Sequence, residues 1–335
     1  MNAHLPEKLS RLLNDPLVTD LCFNHFHTLY LDRGQGMVLE QGSPIFASEN
    51  EYRTFVLEQI SLSGKTWDAK LPFVDTVFFQ THRAHIAFPP LAQFGIYLSL
   101  RRLPISRKLK QGESQDQART RWKHSESLFE LLAHAFQGRE TLILAGATGC
   151  GKTTLLNDLL SFIPENERIL ALEDTAEIRP EHPHFLGLLT RVANADGFGS
   201  VSLHDLLRQT LRMRPDRILI GECRGDEVLD LLKALNTGHC GSLTTLHANS
   251  SRDALKRLEL LALIAAKGTL PSHLIKELIV SGVQKIAYLS RDHEGKRSIQ
   301  SVISLHGMER EVILTKELRS PVLTHALEQA PSLVR

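Results

Sequence analysis

One segment constrains this chain more than any other: Gly146, Ala147, Thr148, Gly149, Cys150, Gly151, Lys152 and Thr153, read as GATGCGKT. Glycines at 146, 149 and 151 permit backbone angles closed to residues with a Cβ, so consecutive N–H groups can turn inward and wrap an anion. The apolar run Thr141–Ala145 before the loop predicts a strand, and the spacing from Lys152 to Phe162 predicts a helix. That helix would aim the positive end of its dipole at the same anion. In such a loop the lysine reaches the β- and γ-phosphates of a nucleotide, and the following hydroxyl, here Thr153, faces Mg²⁺. With Thr154 continuing the loop, the expected cofactors are ATP and Mg²⁺.

Around this loop, apolar runs alternate with helical spacing, which predicts an α/β unit with a mainly parallel sheet covered by helices. Arg168–Leu172 and Arg217–Ile220 read as buried strands. Ser202 and Asp205 have the spacing of a capping box at a helix start, and Val228, Leu231, Leu232 and Leu235 form the apolar stripe of another helix. Residues 107–120 (RKLKQGESQDQART) are rich in charge and amide and read as a linker. The expected organisation is therefore an N-terminal α+β domain over 1–106, the linker 107–120, and the nucleotide domain over 121–335. In the first domain Ser48–Ser61 has helical spacing, and Leu29–Asp32, Val74–Gln80, Ala84–Phe88 and Ile96–Leu100 read as strands.

Ile218–Glu222 (ILIGE) reads as a hydrophobic strand delivering Glu222 to the sheet edge, where a carboxylate can polarise the attacking water. The usual Asp-Glu ending is absent, since Gly221 stands in place of the Asp. Magnesium is then expected to rely on Thr153, Glu222 and a further carboxylate, Asp174 foremost. Glu173 and Glu177 flank Asp174 and are expected in the same site. Gly238–His247 (GHCGSLTTLH) follows at the distance of one helix and a turn, which makes His247 a γ-phosphate or interface residue.

Composition removes several alternatives. With 39 Lys plus Arg against 38 Asp plus Glu, the net charge is +1, so no nucleic-acid binder is indicated by charge. No run reaches the roughly 18–20 apolar residues of a membrane-spanning helix, and no secretory leader is read at the N-terminus. The four cysteines have no CxxC pairing and suit a reduced cytoplasmic protein. The pairs His25/His27 and His182/His184 lack further ligands at metal spacing, so no metal beyond Mg²⁺ is expected.

In order, GATGCGKTT, LEDTAEI, MRPDRILIGECRGDE and NTGHCGSLTTLHANSSRDALKRLE resemble the Walker A, Asp, Walker B and His boxes of the type II/type IV secretion and pilus-motor ATPases. The last two are most similar to the CpaF (Tad pilus) branch. The resemblance is strong over about 121–290 and continuous through the first domain. It implies a RecA-like P-loop NTPase domain behind a smaller, PAS-like N-terminal α+β domain. It also implies a homo-hexameric motor ring, peripheral to the cytoplasmic face of the inner membrane and engaging a platform protein there. By motif position, Arg83 and Arg101 are expected to reach the γ-phosphate, and Arg191, Arg208 or Arg212 the neighbouring subunit. Relatives usually carry an Asp-Gly turn before the position of Arg83, whereas this chain has Val77-Phe-Phe-Gln-Thr. A low-turnover nucleotide-binding assembly subunit and a RecA-like nucleic-acid translocase stand as the competing classes.

Overall fold

Alternation governs the first part of the chain. In the computed structural model, which describes residues 5–34, 36–68, 72–103, 111–193, 199–292, 295–309 and 312–320, every second strand residue there points into one core. Thus β1 (Asp20–His25) buries Leu21 and Phe23, and β2 (Thr28–Asp32) buries Leu29 and Leu31. After the short β3 (Met37–Leu39), β4 (Phe73–Phe78), β5 (His82–Ala87) and β6 (Tyr97–Arg102) complete an antiparallel sheet in the order β3-β2-β1-β6-β5-β4. The helices α1 (Glu7–Asn14) and α2 (Glu49–Leu62) bury Leu9, Tyr52, Phe55 and Val56 in the same core. Ser48 caps α2, its hydroxyl accepting from the Glu51 N–H at 3.2 Å. The strand predicted over Val74–Gln80 stops at Phe78, because Phe79 and Gln80 turn the chain with φ of 54° and 60°. Two ordinary side chains thus adopt the left-handed conformation that an Asp-Gly pair adopts more readily.

The chain divides into two units near residue 105. Residues 107–110 of the predicted linker lie outside the described residues, with 104–106 before them, while α3 (Gln111–Arg121) spans the rest. Polar side chains of this helix make tertiary ties. Gln115 Nε2 donates to the Ser161 carbonyl at 2.9 Å and Arg119 pairs with Glu130 at 2.8 Å. The adjoining Trp122 is buried and donates its indole N–H to Asp158 at 2.8 Å.

After α4 (Glu126–Gln137), strands and helices alternate: β7 (Leu142–Gly146), α5 (Lys152–Leu160), β8 (Ile169–Glu173), β9 (Phe185–Leu189), α6 (Leu203–Thr210), β10 (Arg217–Ile220), α7 (Glu227–Leu235) and β11 (Leu243–Leu246). Then come α8 (Ser251–Ala266), α9 (Ser272–Gly282) and three strands that sequence patterning did not predict: β12 (Lys285–Arg291), β13 (Arg297–Glu309) and β14 (Val312–Arg319). The sheet runs β14-β13-β12-β7-β11-β10-β8-β9, parallel from β12 to β9 and antiparallel at β13 and β14. Its central strands are buried throughout, as expected of a sheet covered on both faces. One cover holds α4 and α5 through Phe129, Phe136 and Leu156; the other holds α6 to α9 through Leu207, Leu232, Leu258 and Ile279. The capping box at α6 is present, with Ser202 and Asp205 exchanging backbone N–H bonds.

Fully buried Arg217 ties the base of β10 to its surroundings. Its guanidinium pairs with Glu167 at 2.5 Å, donates to the Gly241 carbonyl at 3.3 Å and lies 4.9 Å from the Phe136 ring centre.

Candidate nucleotide site

Because β7, β11, β10 and β8 are parallel neighbours, their carboxyl ends share one edge. Ligands of open α/β sheets bind at such an edge. Gly146 ends β7, Glu173 ends β8, Gly221 and Glu222 follow β10, and His247 follows β11. The four sequence motifs converge for that topological reason.

The loop between β7 and α5 is built on backbone that side chains would obstruct. Gly146 has φ +155°, and a Cβ there would stand 2.5 Å from both Cys150 Sγ and the Leu289 carbonyl oxygen. Lys152 is buried against the loop, its Nζ donating to the Gly146 and Ala147 carbonyls at 2.8 and 2.9 Å. Burial lowers its pKa, while the nearby charges of Glu222 and Glu177 oppose that shift.

Thr153 Oγ1 donates to Glu177 Oε2 at 3.3 Å. Asn157 secures this pair, its Nδ2 donating to the carbonyls of Thr153 and Glu177 at 3.0 and 3.2 Å. One hydroxyl and one carboxylate side by side match the way Mg²⁺ is held, by one or two carboxylates with substrate phosphates and water completing six oxygens. The other expected ligands lie elsewhere in the network. Asp174 is exposed and accepts from Thr190 Oγ1 at 2.9 Å, and Glu222 is engaged by cationic and imidazole partners. Among the described residues no group of three or more His, Cys, Asp or Glu has metal-binding geometry.

Glu173 is buried, and its Oε1 accepts the N–H groups of Glu177 and Ile178, both at 2.9 Å. Burial lifts its pKa to about 7, against the lowering effect of those two N–H bonds. Its Cγ lies 3.1 Å from where a Cβ of Gly221 would stand. Glu173 therefore fills the space of the aspartate missing from the β10 strand end, which accounts physically for the Gly-Glu sequence.

Glu222 is held on both sides. Its Oε1 lies 3.0 Å from His247 Nε2, and Arg224 Nη2 donates to its Oε2. Burial alone would raise the Glu222 pKa, but the Arg224 bond and charge, then His247 and Lys152, bring it below the ordinary value. Burial and then Lys152 lower the His247 pKa, against the pull of Glu222. A neutral imidazole thus donates Nε2–H to an ionised carboxylate whose plane is fixed by two partners.

Two contributors escaped motif reasoning. Arg224 faces much of the acidic cluster, since Asp174 and Glu177 act on it besides Glu222. Glu227 positions it, with Oε1 accepting the Arg224 N–H at 2.5 Å and the Gly225 N–H at 2.8 Å. The only sequence signal was their place in RGDE, between a strand end and a helix start.

Arg83 and Arg101 belong to the first unit, on β5 and β6, where they stand directly opposite one another in register. Arg101 is exposed and pairs with Asp20 at 2.8 Å. Arg191 pairs in a backbone bridge with Val201, and Arg208 and Arg212 are exposed at and beyond the end of α6.

A glycine loop between strand and helix, with acidic, imidazole and guanidinium groups at one carboxyl edge, defines a RecA-like P-loop ATPase fold. The chain belongs to the type II/IV secretion system protein family, whose model matches residues 50–316. A Mycobacterium tuberculosis protein named for conjugal transfer is 35% identical, with 91% of this chain and 85% of that protein covered. The conjugal transfer protein TrbB of Rhizobium radiobacter is 30% identical, with 90% and 88% covered. Of solved structures, the pilus retraction motor PilT with bound ADP has a TM-score of 0.60 at 17% identity, covering 96% of this chain and 85% of that one. The PilT likeness shows a shared fold, and the family model with the two relatives places the chain among type II/IV secretion system proteins. No helix among the described residues is long and apolar enough to cross a membrane.

Proposed function

We propose that this chain hydrolyses ATP as one subunit of a homo-hexameric motor powering pilus assembly or secretion. The observation that carries the proposal is Glu222, ionised and held between His247 and Arg224 at the strand edge that bears the phosphate loop. Lys152 would hold the β- and γ-phosphates, and the loop N–H groups would wrap them. Thr153 and Glu177 would hold Mg²⁺, with Asp174 beyond them; when bound, that ion would neutralise charge developing on the transferred phosphoryl group. Glu222 would orient the attacking water and accept its proton, and His247 would keep the carboxylate aligned. Arg83 and Arg101 would meet the γ-phosphate from the first unit, with Arg191, Arg208 or Arg212 acting across a subunit boundary.

Within this class, the CpaF resemblance supports a Tad-type pilus, while the relatives named for conjugal transfer support a conjugal-transfer machine. Either role places the ring on the cytoplasmic face of the inner membrane against a platform protein. The proposal is tested by native mass and steady-state ATP turnover of the purified chain with Mg²⁺. A six-subunit mass with Mg²⁺-dependent turnover is expected. An assembled ring without turnover supports the low-turnover assembly subunit instead, and turnover that rises severalfold with added DNA supports a nucleic-acid translocase.

A further inference from the structure

The phosphate loop has an outer wall that the motifs do not include. The strands β12 and β13 are antiparallel neighbours, and their register sets Arg291 directly opposite Arg297. Like charges so placed oppose strand pairing, and the two arginines resolve this differently. Arg291 turns back to the hairpin, Nε donating to the Gly295 carbonyl at 3.0 Å. Arg297 lies along the loop: a Cβ on Gly151 would stand 2.8 Å from its Cδ, and its Nη1 donates to Thr154 Oγ1 at 3.2 Å. Arg121, the other guanidinium acting on it, is already paired with Asp158. No carboxylate of a described residue forms an ion pair with Arg297. Arg297 stays solvent-exposed; packing of its stem against the loop, and after it the charges of Arg291 and Arg121, lower its pKa. An anion at the loop would relieve that.

Its position selects which anion. In a phosphate loop the lysine serves the β- and γ-phosphates, the next hydroxyl faces Mg²⁺, and the loop N–H groups cradle the α- and β-phosphates. Thr154 is the next residue again, in the first turn of α5, where backbone N–H groups lack helical partners. We propose that Arg297 binds the α-phosphate of the bound nucleotide, with Thr154 fixing its guanidinium at the outer rim of the loop. This rests on the nucleotide-binding reading of the site and adds a residue from β13 to it. An α-phosphate contact is made equally in ground and transition states, so its loss should raise KM and leave kcat in place.

The test is calorimetric titration of the full chain with ADP and Mg²⁺, with ATPase kinetics in parallel. Arg297→Met keeps the aliphatic stem over Gly151 without the charge, and Arg297→Gln keeps a donor for Thr154 without the charge. Both should weaken ADP binding and raise KM by about tenfold or more, with kcat within about twofold and the nucleotide-free melting temperature unchanged. Arg297→Lys should recover part of the affinity. If wild type binds ADP and either folded variant binds it within about twofold as tightly, the assignment is overturned. If wild type binds no ADP, the nucleotide reading itself fails. ADP binding without turnover, weakened in both variants, upholds Arg297 and removes only hydrolysis.

Discussion

The two units of this chain treat buried charge in opposite ways. In the nucleotide unit, parallel strands deliver their ends to one edge, and the polar groups there interlock: Lys152 with the loop carbonyls, Thr153 with Glu177, Glu222 with His247 and Arg224. In the first unit, antiparallel alternation sends one face to an apolar core, while Arg83 and Arg101 stand side by side on the other. Among the described residues, the imidazole of His82 is also buried there, at 1% exposure. Topology explains the difference: parallel pairing concentrates distant sequence positions at a single edge, whereas antiparallel pairing spreads neighbouring ones along a face.

The contrast is sharpest at Arg217, a buried cation of the nucleotide unit set against the exposed Arg101. Removing one member of a buried pair costs about 3–5 kcal/mol because the other charge is stranded. Arg217→Ala should therefore destabilise its unit by that amount, with Glu167 left unpaired. The two tryptophans provide separate reporters, Trp67 in the first unit and Trp122 in the second. Urea unfolding followed through Trp122, with Trp67 replaced by Phe, measures the loss. A change under about 1 kcal/mol would break the comparison.

Acidity sharpens it next, because the two units hold buried groups shifted in opposite directions. Burial raises Glu173 to about 7, so between its unfolded value of 4.5 and about 7 the folded form holds a proton that the unfolded form has released. Its contribution is complete below the unfolded value and is lost as pH rises through that window. Burial, and then Arg102, lowers His82 from 6.5 to about 4, so its contribution is lost as pH falls through that window. Each effect amounts to roughly 3 kcal/mol. Glu173→Gln should flatten a declining stability profile at Trp122, and His82→Gln a rising one at Trp67. Equal profiles in wild type and variant would remove the stated cause.

The smallest effect belongs to Arg101. Its exposed pair with Asp20 should contribute no more than about 1 kcal/mol, so Arg101→Ala should leave the Trp67 unfolding midpoint nearly in place. A loss of ATP turnover in that stable variant would mark Arg101 as a residue of the reaction. Unchanged turnover would restrict it to the first unit's surface.

What was legible in the sequence follows the same division. The phosphate loop, its flanking strand and helix, Glu222 and the α6 cap are local patterns, readable because their chemistry is set by neighbours in sequence. The triple-strand extension β12 to β14 was missed because its residues alternate weakly. The α3 helix was missed because its polar side chains bind Ser161 and Glu130 rather than water. Arg224 shows only its place in RGDE, and Arg297 carries no local signature. One depends on Glu227 to aim it, and the other on a register that sets β13 beside the loop. The role of Gly221 was likewise unreadable until Glu173 was seen to fill its space.

The central claim is that Glu222, held by His247 and Arg224, performs the hydrolytic step at the phosphate loop. Its most direct test is single-turnover hydrolysis of Mg²⁺-ATP by wild type and Glu222→Gln, with ADP affinity measured on both. The account predicts ADP affinity within about threefold and a hydrolysis rate lowered about 10²–10⁴-fold, as loss of a general base requires. Hydrolysis at the wild-type rate in Glu222→Gln would contradict it.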